Sequence, residues 1–388
     1  LTDFSNIDKQ LRLREADGLY RRRRLVGSAQ GRELEVDGRL LLNFSSNDYL
    51  GLASDARVRA AFTQGIAQWG VGSGASHLVC GHTQAHGELE KALADFTGRP
   101  RCLLFSSGYA ANVGTINALA GHGDCVFQDR LNHASLLDGG LLSGAAFKRY
   151  AHRDTQELDA RLAKSDGAPR RKLVVSDGTF SMDGTICDIA ATSAVARKYG
   201  AWLMIDDAHS LGVLGAGGTG LVPAANFSTD DVAVLVGTLG KAFGTQGGFV
   251  AGSEALIETL IQHARTYIYS TALPAAVAVA TLTSLKIAVT EEWRRERNRE
   301  LVAQFRAGAT QLGLQLIDSH TPIQPILLGD EQSALRMSAA LEERGLLVTA
   351  IRPPTVPKGT SRLRVTLTAA HTPDDVAKLL VALDEVRS

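Results

Sequence analysis

The chain has 388 residues, 45% of them hydrophobic and 21% charged, and its 41 basic side chains balance its 41 acidic ones. That composition excludes a disordered chain and removes nucleic acid as a default partner, because phosphate binding needs a cationic excess. At about 150 residues per domain the length implies two or three domains, or one large one with an appendage. The cysteines, Cys80, Cys102, Cys125 and Cys187, form no C-x-x-C pair. They fit neither a zinc site nor a disulfide framework, so no metal is expected and a reducing compartment is the simplest setting. The uncharged run 266–285 carries Pro274 and several hydroxyl side chains and makes a poor membrane span. The first residues lack the basic and apolar regions of a signal peptide. The expectation is a cytoplasmic protein with no membrane contact.

In chain order, residues 3–24 read as an amphipathic helix with a basic end, Arg21 to Arg24. A short strand and a turn, Asn47-Asp48-Tyr49-Leu50-Gly51, occupy 40–51. Helical periodicity returns at 55–69, and a glycine-rich loop follows at 70–76. From about 86, helices alternate with short apolar runs at 102–105, 125–127, 173–175, 202–205, 232–236 and 248–250. Such runs separated by helices predict a parallel sheet buried on both faces. After about 284 come a charged helix (291–312), strand–helix–strand units with a Pro-rich connector, and a final helix from 373. Three segments are expected: an N-terminal arm (1–50), a large α/β domain (51–283) and a smaller α+β domain (284–388).

Ligands of such sheets bind beyond the carboxyl ends of the strands. After the run 102–105 stands Ser106-Ser107-Gly108-Tyr109, opening a helix. Its N-terminus favours an anion, although taken alone an ordinary serine cap is the favoured account. After 202–205 stand Asp206 and Asp207, where carboxylates are costly unless a cation pairs with them. One of them suits a metal or a protonated ring nitrogen; a solvated cap is the bland alternative. After 232–236 stands Gly237-Thr238-Leu239-Gly240-Lys241. A lysine in that apolar, glycine-flanked turn should lose proton affinity and act as nucleophile or base; a phosphate-binding lysine is the alternative. His133, at a helix start, and Ser181, in Phe180-Ser181-Met182-Asp183-Gly184, follow two further strands. Each signal alone is weak. Together, an anion site, an acid, a histidine and a desolvated lysine at one sheet edge fit pyridoxal phosphate, with the lysine as its Schiff base.

Two other motifs compete. Gly215-Ala216-Gly217-Gly218-Thr219-Gly220 matches G-x-G-x-x-G, but it follows no strand directly and no helix is expected after it, which disfavours a dinucleotide site. His82 and His86 have the spacing of a zinc helix, yet Thr83 stands where the catalytic glutamate belongs.

With those residues placed, the chain resembles the α-oxoamine synthases, fold-type I pyridoxal-phosphate enzymes that condense an amino acid with an acyl-CoA. The resemblance runs from about residue 17 to 386. It rests on Asn43-Phe44-Ser45-Ser46-Asn47-Asp48-Tyr49-Leu50-Gly51-Leu52, the 72–81 loop, Ser107-Gly108-Tyr109, Asn132-His133-Ala134-Ser135, the Ser181 segment, Asp206 to His209, Thr238 to Lys241, Tyr269-Ser270-Thr271 and 352–368. It implies a mostly parallel central sheet with helices on both faces, an N-terminal helical arm and a smaller C-terminal α+β domain. It also implies that Lys241 carries the Schiff base and then serves as the base at Cα, that Asp206 pairs with the pyridine nitrogen, and that His133 stacks on the ring. His209 and Ser181 then contact the ring oxygen. Ser107, Gly108, Tyr109 and Thr238 lie near the phosphate, and Ser270 and Thr271 reach the phosphate of a neighbouring subunit in a homodimer. Arg364 is implied for the amino-acid carboxylate; Arg21, Asn47, Arg352 and Thr355 are candidates for the acyl substrate. The connector Arg352-Pro353-Pro354-Thr355 points to the branch using L-alanine and pimeloyl-CoA, or pimeloyl on a carrier protein. A glycine-using relative is the nearest rival. A nucleotide-binding oxidoreductase and a non-catalytic binding module are the alternatives from other classes.

Overall fold

A computed structural model describes residues 4–165 and 170–387. The chain forms two compact units. One comprises the residues through Ser46, Met182–Gly184 and those from Arg297 onward; the other comprises Asn47–Ser181 and Thr185–Glu296. In chain order the strands are β1 (Glu33–Val36), β2 (Arg39–Asn43), β3 (Arg101–Phe105), β4 (Cys125–Asp129), β5 (Ala146–Tyr150), β6 (Lys172–Asp177), β7 (Trp202–Asp206), β8 (Val234–Thr238), β9 (Gly248–Gly252), β10 (Ile323–Gly329), β11 (Leu346–Leu347), β12 (Thr349–Ile351) and β13 (Ser361–Thr366).

The larger unit holds a seven-stranded sheet in the order β3-β9-β8-β7-β6-β4-β5. Strands β4 to β8 pair in parallel, and β9 runs antiparallel to both its neighbours. The reversal has a simple cause: residues 239–247 are too few for the crossover that parallel strands require. Strands β4, β6 and β9 are buried along their whole length, so each carries a short apolar run, with the polar residues of β4 and β6 confined to their ends. Leu103, Phe105, Ile116, Val126, Val175, Val236 and Ile257 belong to one core cluster, each contributing roughly 1.5–3 kcal/mol by burial. The helix Ala275–Thr290 lies whole in this unit, across the expected 283/284 boundary. Its backbone approaches the helix Ala56–Trp69 so closely that a Cβ on Gly65 would sit 2.8 Å from Ala276 Cα.

The smaller unit contains two three-stranded sheets, β1-β2-β11 and β10-β13-β12. Strands β1 and β2 form a hairpin through Asp37 and Gly38, both at positive φ (50° and 79°), as a two-residue turn matching strand twist demands. Phe44, Phe305, Ile326, Leu363, Val365 and Leu379 share its core. The expected helix over 3–24 is shorter: it spans Ser5–Ala16. Asp17 and Gly18 end it, Gly18 in the left-handed region at φ 67°, so Arg21 to Arg24 lie on irregular backbone rather than on a basic helix end. Among the described residues no helix is long and apolar enough to cross a membrane.

Candidate active site

The expected side chains of the larger unit gather where its strands end. Asp206 closes β7 and is buried. One carboxylate oxygen accepts the Ala208 N–H at 3.0 Å; the other accepts an amide hydrogen of Asn112 at 2.6 Å. Asn112 also donates to Ser135 Oγ at 2.9 Å, and Ser135 Oγ lies 2.8 Å from His133 Nδ1. His133 caps the helix Ala134–Leu142, and its backbone N–H donates to Asp177 at 2.7 Å. Asp177 closes β6 in register with Asp206. Burial, then the charge of Asp206, pushes the Asp177 carboxyl well up from its ordinary value. Burial also lowers His133 and favours the neutral ring. Lys241 is near enough for its charge to act on both His133 and Asp177.

Lys241 stands in a tight turn after β8. Leu239 N–H donates to Gly247 O at 3.0 Å, Thr245 N–H to Leu239 O at 2.9 Å, and Gly244 N–H to Lys241 O at 2.9 Å. Gly244 has φ 64°, and a Cβ there would meet Ala53 N at 2.3 Å, so only glycine fits. Thr238 Oγ1 donates to Gly247 O at 3.1 Å. Across the sheet, Ser107 caps the helix Gly108–Leu119, its Oγ accepting Ala110 N–H at 3.1 Å. The first-turn N–H groups of that helix have no intrahelical acceptor. The Tyr109 hydroxyl donates to Asp138.

His209, buried, shares a 2.6 Å hydrogen bond with the hydroxyl of Tyr49, and that hydroxyl also donates to Asn47 Oδ1 at 3.3 Å. Asn47, expected to meet the acyl substrate, is thus tied to His209 through Tyr49, which sequence reasoning left without a role. Ser181 rides on a hairpin-like loop closed by Phe180 N–H to Thr185 O (2.9 Å) and Cys187 N–H to Gly178 O (2.8 Å). His152 clamps that loop: its ring lies edge-on to Phe180 at 4.4 Å, with Asp129 at 3.1 Å from one nitrogen and Thr185 Oγ1 at 3.1 Å from the other. Ser270 and Thr271 stand on a separate loop that is stitched to the glycine-rich one, Ala272 N–H donating to Ala75 O at 3.0 Å.

In the smaller unit, Arg21 donates to Thr355 Oγ1 at 3.4 Å, and Thr355 N–H to Arg352 O at 3.0 Å. Burial and the neighbouring Arg21 charge lower Arg352 from its ordinary value. Arg22 pairs with Glu15, and Arg24 with Asp37 and Glu342. Of these arginines, then, Arg21 is the one that joins Arg352 and Thr355. Arg364, on β13, is buried and donates to Thr366 Oγ1 at 3.1 Å.

The competing motifs resolve into structure. A single-turn helix, Leu221–Ala224, does open after Gly220, contrary to expectation. Its N-terminus is already occupied: Asp207 accepts the Leu221 N–H at 2.7 Å, leaving no place for a dinucleotide phosphate. His86 lies inside the helix Gln84–Thr97 and His82 outside it. His86 Nδ1 accepts the Thr83 N–H at 3.0 Å as part of a cap. No group able to hold a metal is found among the described residues.

The donor set suits one kind of ligand. A helix N-terminus takes a phosphate, Asp206 takes a cationic ring nitrogen, His133 offers an aromatic face and Lys241 offers an amine, which together match pyridoxal phosphate. Residues 39–383 match the family model "Aminotransferase class I and II". The chain is 61% identical over 377 residues to the 8-amino-7-oxononanoate synthase of Nitrosococcus oceani, covering 97% of this chain and 100% of that one. It is 62% identical over 372 residues to that of Pseudomonas putida, covering 96% and 95%. Among solved structures it superposes on serine palmitoyltransferase from S. paucimobilis with a bound PLP–myriocin aldimine (TM-score 0.93, 31% identity, 99% of this chain and 97% of that one). It also superposes on 8-amino-7-oxononanoate synthase from Francisella tularensis (TM-score 0.78, 31% identity, 89% and 97%). A buried acid, a helix-capping histidine and a strand-end lysine on this sheet thus accompany close relatedness along nearly the whole chain, and the protein belongs to the 8-amino-7-oxononanoate synthases of the class I and II aminotransferase family.

Proposed function

We propose that the chain binds pyridoxal 5'-phosphate and joins L-alanine to a pimeloyl thioester, on CoA or a carrier protein, in biotin biosynthesis. The products are 8-amino-7-oxononanoate, CO2 and the free thiol. The observation that carries the reading is the hydrogen-bonded set Asp206, Asn112, Ser135 and His133, with Lys241 in electrostatic reach of it. Bound pyridoxal phosphate supplies an aldehyde for amines and a ring that accepts electrons from carbon. Lys241 Nζ would hold it, and as a free amine would take the proton from alanine Cα. Asp206 keeps positive charge on the ring nitrogen. His133 would cover one ring face, and His209 and Ser181 would orient the ring oxygen. The first-turn N–H groups of the helix Gly108–Leu119, with Ser107, Tyr109 and Thr238, hold the phosphate.

Arg364 takes the alanine carboxylate. Arg21, Arg352 and Thr355 take the distal carboxylate of pimeloyl, with Asn47 beside the acyl path. The closeness of two guanidinium groups supports this assignment, because an anion between them relieves their repulsion. A homodimer, in which Ser270 and Thr271 serve the neighbouring phosphate, is supported by the exposed apolar Val71, Leu78, Val79 and Tyr269 on the same loops. The absence of a membrane-crossing helix among the described residues is compatible with action in the cytoplasm. The test is a panel: L-alanine, glycine and L-serine, each with pimeloyl-CoA, read as thiol release. One side-chain methylene discriminates by roughly 10- to 200-fold, and alanine should lead by that margin. Faster turnover with glycine or serine overturns the substrate assignment.

A further inference from the structure

Asn112 is a fully buried amide on the first turns of the helix Gly108–Leu119, the helix proposed above to hold the phosphate. Its nitrogen has two hydrogens and both are used: one goes to Asp206 Oδ2 at 2.6 Å, the other to Ser135 Oγ at 2.9 Å. The orientation of the amide is forced. A carboxylate only accepts, so the NH2 end must face Asp206. Its oxygen is left buried without a hydrogen-bond partner, a cost that the fold tolerates to aim two donors.

The consequence runs along the chain of bonds. Ser135 Oγ accepts from Asn112, so its own hydrogen is free to point at His133 Nδ1, 2.8 Å away. The Ser135 N–H approaches the same nitrogen at 3.3 Å. With two donors aimed at Nδ1, the ring of His133 carries its hydrogen on Nε2.

We infer that Asn112 is a positioning residue that couples the two ring-binding groups: it fixes the carboxylate of Asp206 and, through Ser135, the tautomer of His133. The inference rests on the proposed reading that Asp206 meets the pyridine nitrogen and His133 the ring face. No substrate contact is assigned to Asn112.

Two variants separate its two arms. Asn112→Asp is isosteric but places a second carboxylate beside Asp206, and the pair must share a proton. Cofactor affinity of the apoprotein, titrated by fluorescence quenching, should fall by about tenfold to a hundredfold, the usual worth of a hydrogen bond to a charged group. Because the shared proton is lost as pH rises, the deficit should widen between pH 6 and pH 9. Ser135→Ala removes the hydroxyl that joins the two arms and leaves His133 Nδ1 only the longer, 3.3 Å backbone N–H. The 15N shifts of His133 in the cofactor-free chain should then show a weakened Nε2–H preference, while cofactor affinity falls less than in Asn112→Asp. A Ser135→Ala chain whose His133 signals are unchanged overturns the relay, and so does an Asn112→Asp chain that binds cofactor like the parent at every pH. Should Asn112→Asp not fold, Ser135→Ala still decides. A parent chain that binds no cofactor would instead sink the underlying reading, whereas the His133 tautomer is read without cofactor.

Discussion

Gly248→Ala tests whether the sheet itself shapes the proposed phosphate cradle. Gly248 opens β9, paired on one side with Phe105 at the end of β3 and on the other with Thr238 at the end of β8. It therefore sits between the strands that deliver Ser107 and Thr238. A Cβ at 248 would lie 2.5 Å from Gly108 N, 2.6 Å from Gly108 Cα and 2.7 Å from Ser107 C. All three are backbone atoms of the turn opening the helix Gly108–Leu119, so no flexible side chain can yield. Inserting one methyl into such a site costs about 1–3 kcal/mol, or roughly 5- to 150-fold in an equilibrium. If the turn moves, its first N–H groups leave their aim and cofactor affinity falls by that factor. If the sheet gives instead, the thermal midpoint drops. Cofactor titration and thermal unfolding of the same sample read both. Gly121→Ala is the control, since a Cβ there meets only Ser143 O at 3.9 Å. Gly248→Ala with affinity within about twofold of the parent and an unchanged midpoint would refute the packing argument.

Lys241→Ala should keep the fold, judged by circular dichroism, and lose turnover; retained turnover removes the lysine's assigned role. Arg21→Ala should raise KM for the acyl substrate more than for alanine, whereas Arg24→Ala, whose guanidinium is taken by Asp37 and Glu342, should change stability rather than KM. Equal effects of Arg21→Ala on both KM values count against the pairing with Arg352. Glu90, in the helix Gln84–Thr97, accepts the Leu104 N–H at 3.0 Å, and burial pushes its carboxyl up to about 7. The fold therefore retains a proton that the unfolded chain gives up near 4.5, and stability is lost as pH rises from there through about 7. Glu90→Gln keeps an acceptor and removes that loss. Its gain in denaturant unfolding should be near zero at about pH 4 and reach on the order of 3 kcal/mol at about pH 8; a gain independent of pH would show that burial does not hold the proton.

How much of this was legible in the sequence follows from distance along the chain. Lys241, Asp206 and His133 each follow an apolar run, and a parallel sheet collects such positions at one edge without any knowledge of the partner strands. Gly248 and Asn112 escape that logic. Asn112 looks like an ordinary helical residue, and only the packing of its helix brings it to Asp206, 94 residues away. Tyr49 meets His209 from 160 residues away. Strand β5 was missed because it is an edge strand carrying Lys148 and Arg149, and charges on an edge break the apolar signal while protecting against stray pairing. The reversal of β9, in contrast, was legible from the shortness of 239–247 and went unread. The helix over 3–24 was overextended because the arginines continue a polar pattern past Gly18, whose positive φ ends it.

The strand ends of the larger sheet carry four buried carboxylates, and their partners divide the labour. Asp129 accepts the Leu131 and Arg153 N–H groups at 2.8 and 2.7 Å and so anchors the loops after β4 and β5. Asp177 holds the His133 N–H at 2.7 Å. Asp207 holds the N-terminus of Leu221–Ala224. Each of these three accepts at least one backbone N–H that an asparagine oxygen could accept in its place, although Asp129 also holds the ring of His152. Asp206 differs, since its amide partner Asn112 is itself held from the far side by Ser135. Hydrogen bonds from Ala208 and Asn112 aim the Asp206 carboxylate along the edge of the sheet, where its task is to meet positive charge rather than to hold a loop. On this argument Asp206→Asn should lower cofactor affinity far more than it lowers the stability of the cofactor-free chain. Comparable losses in both measurements would make Asp206 one more loop anchor.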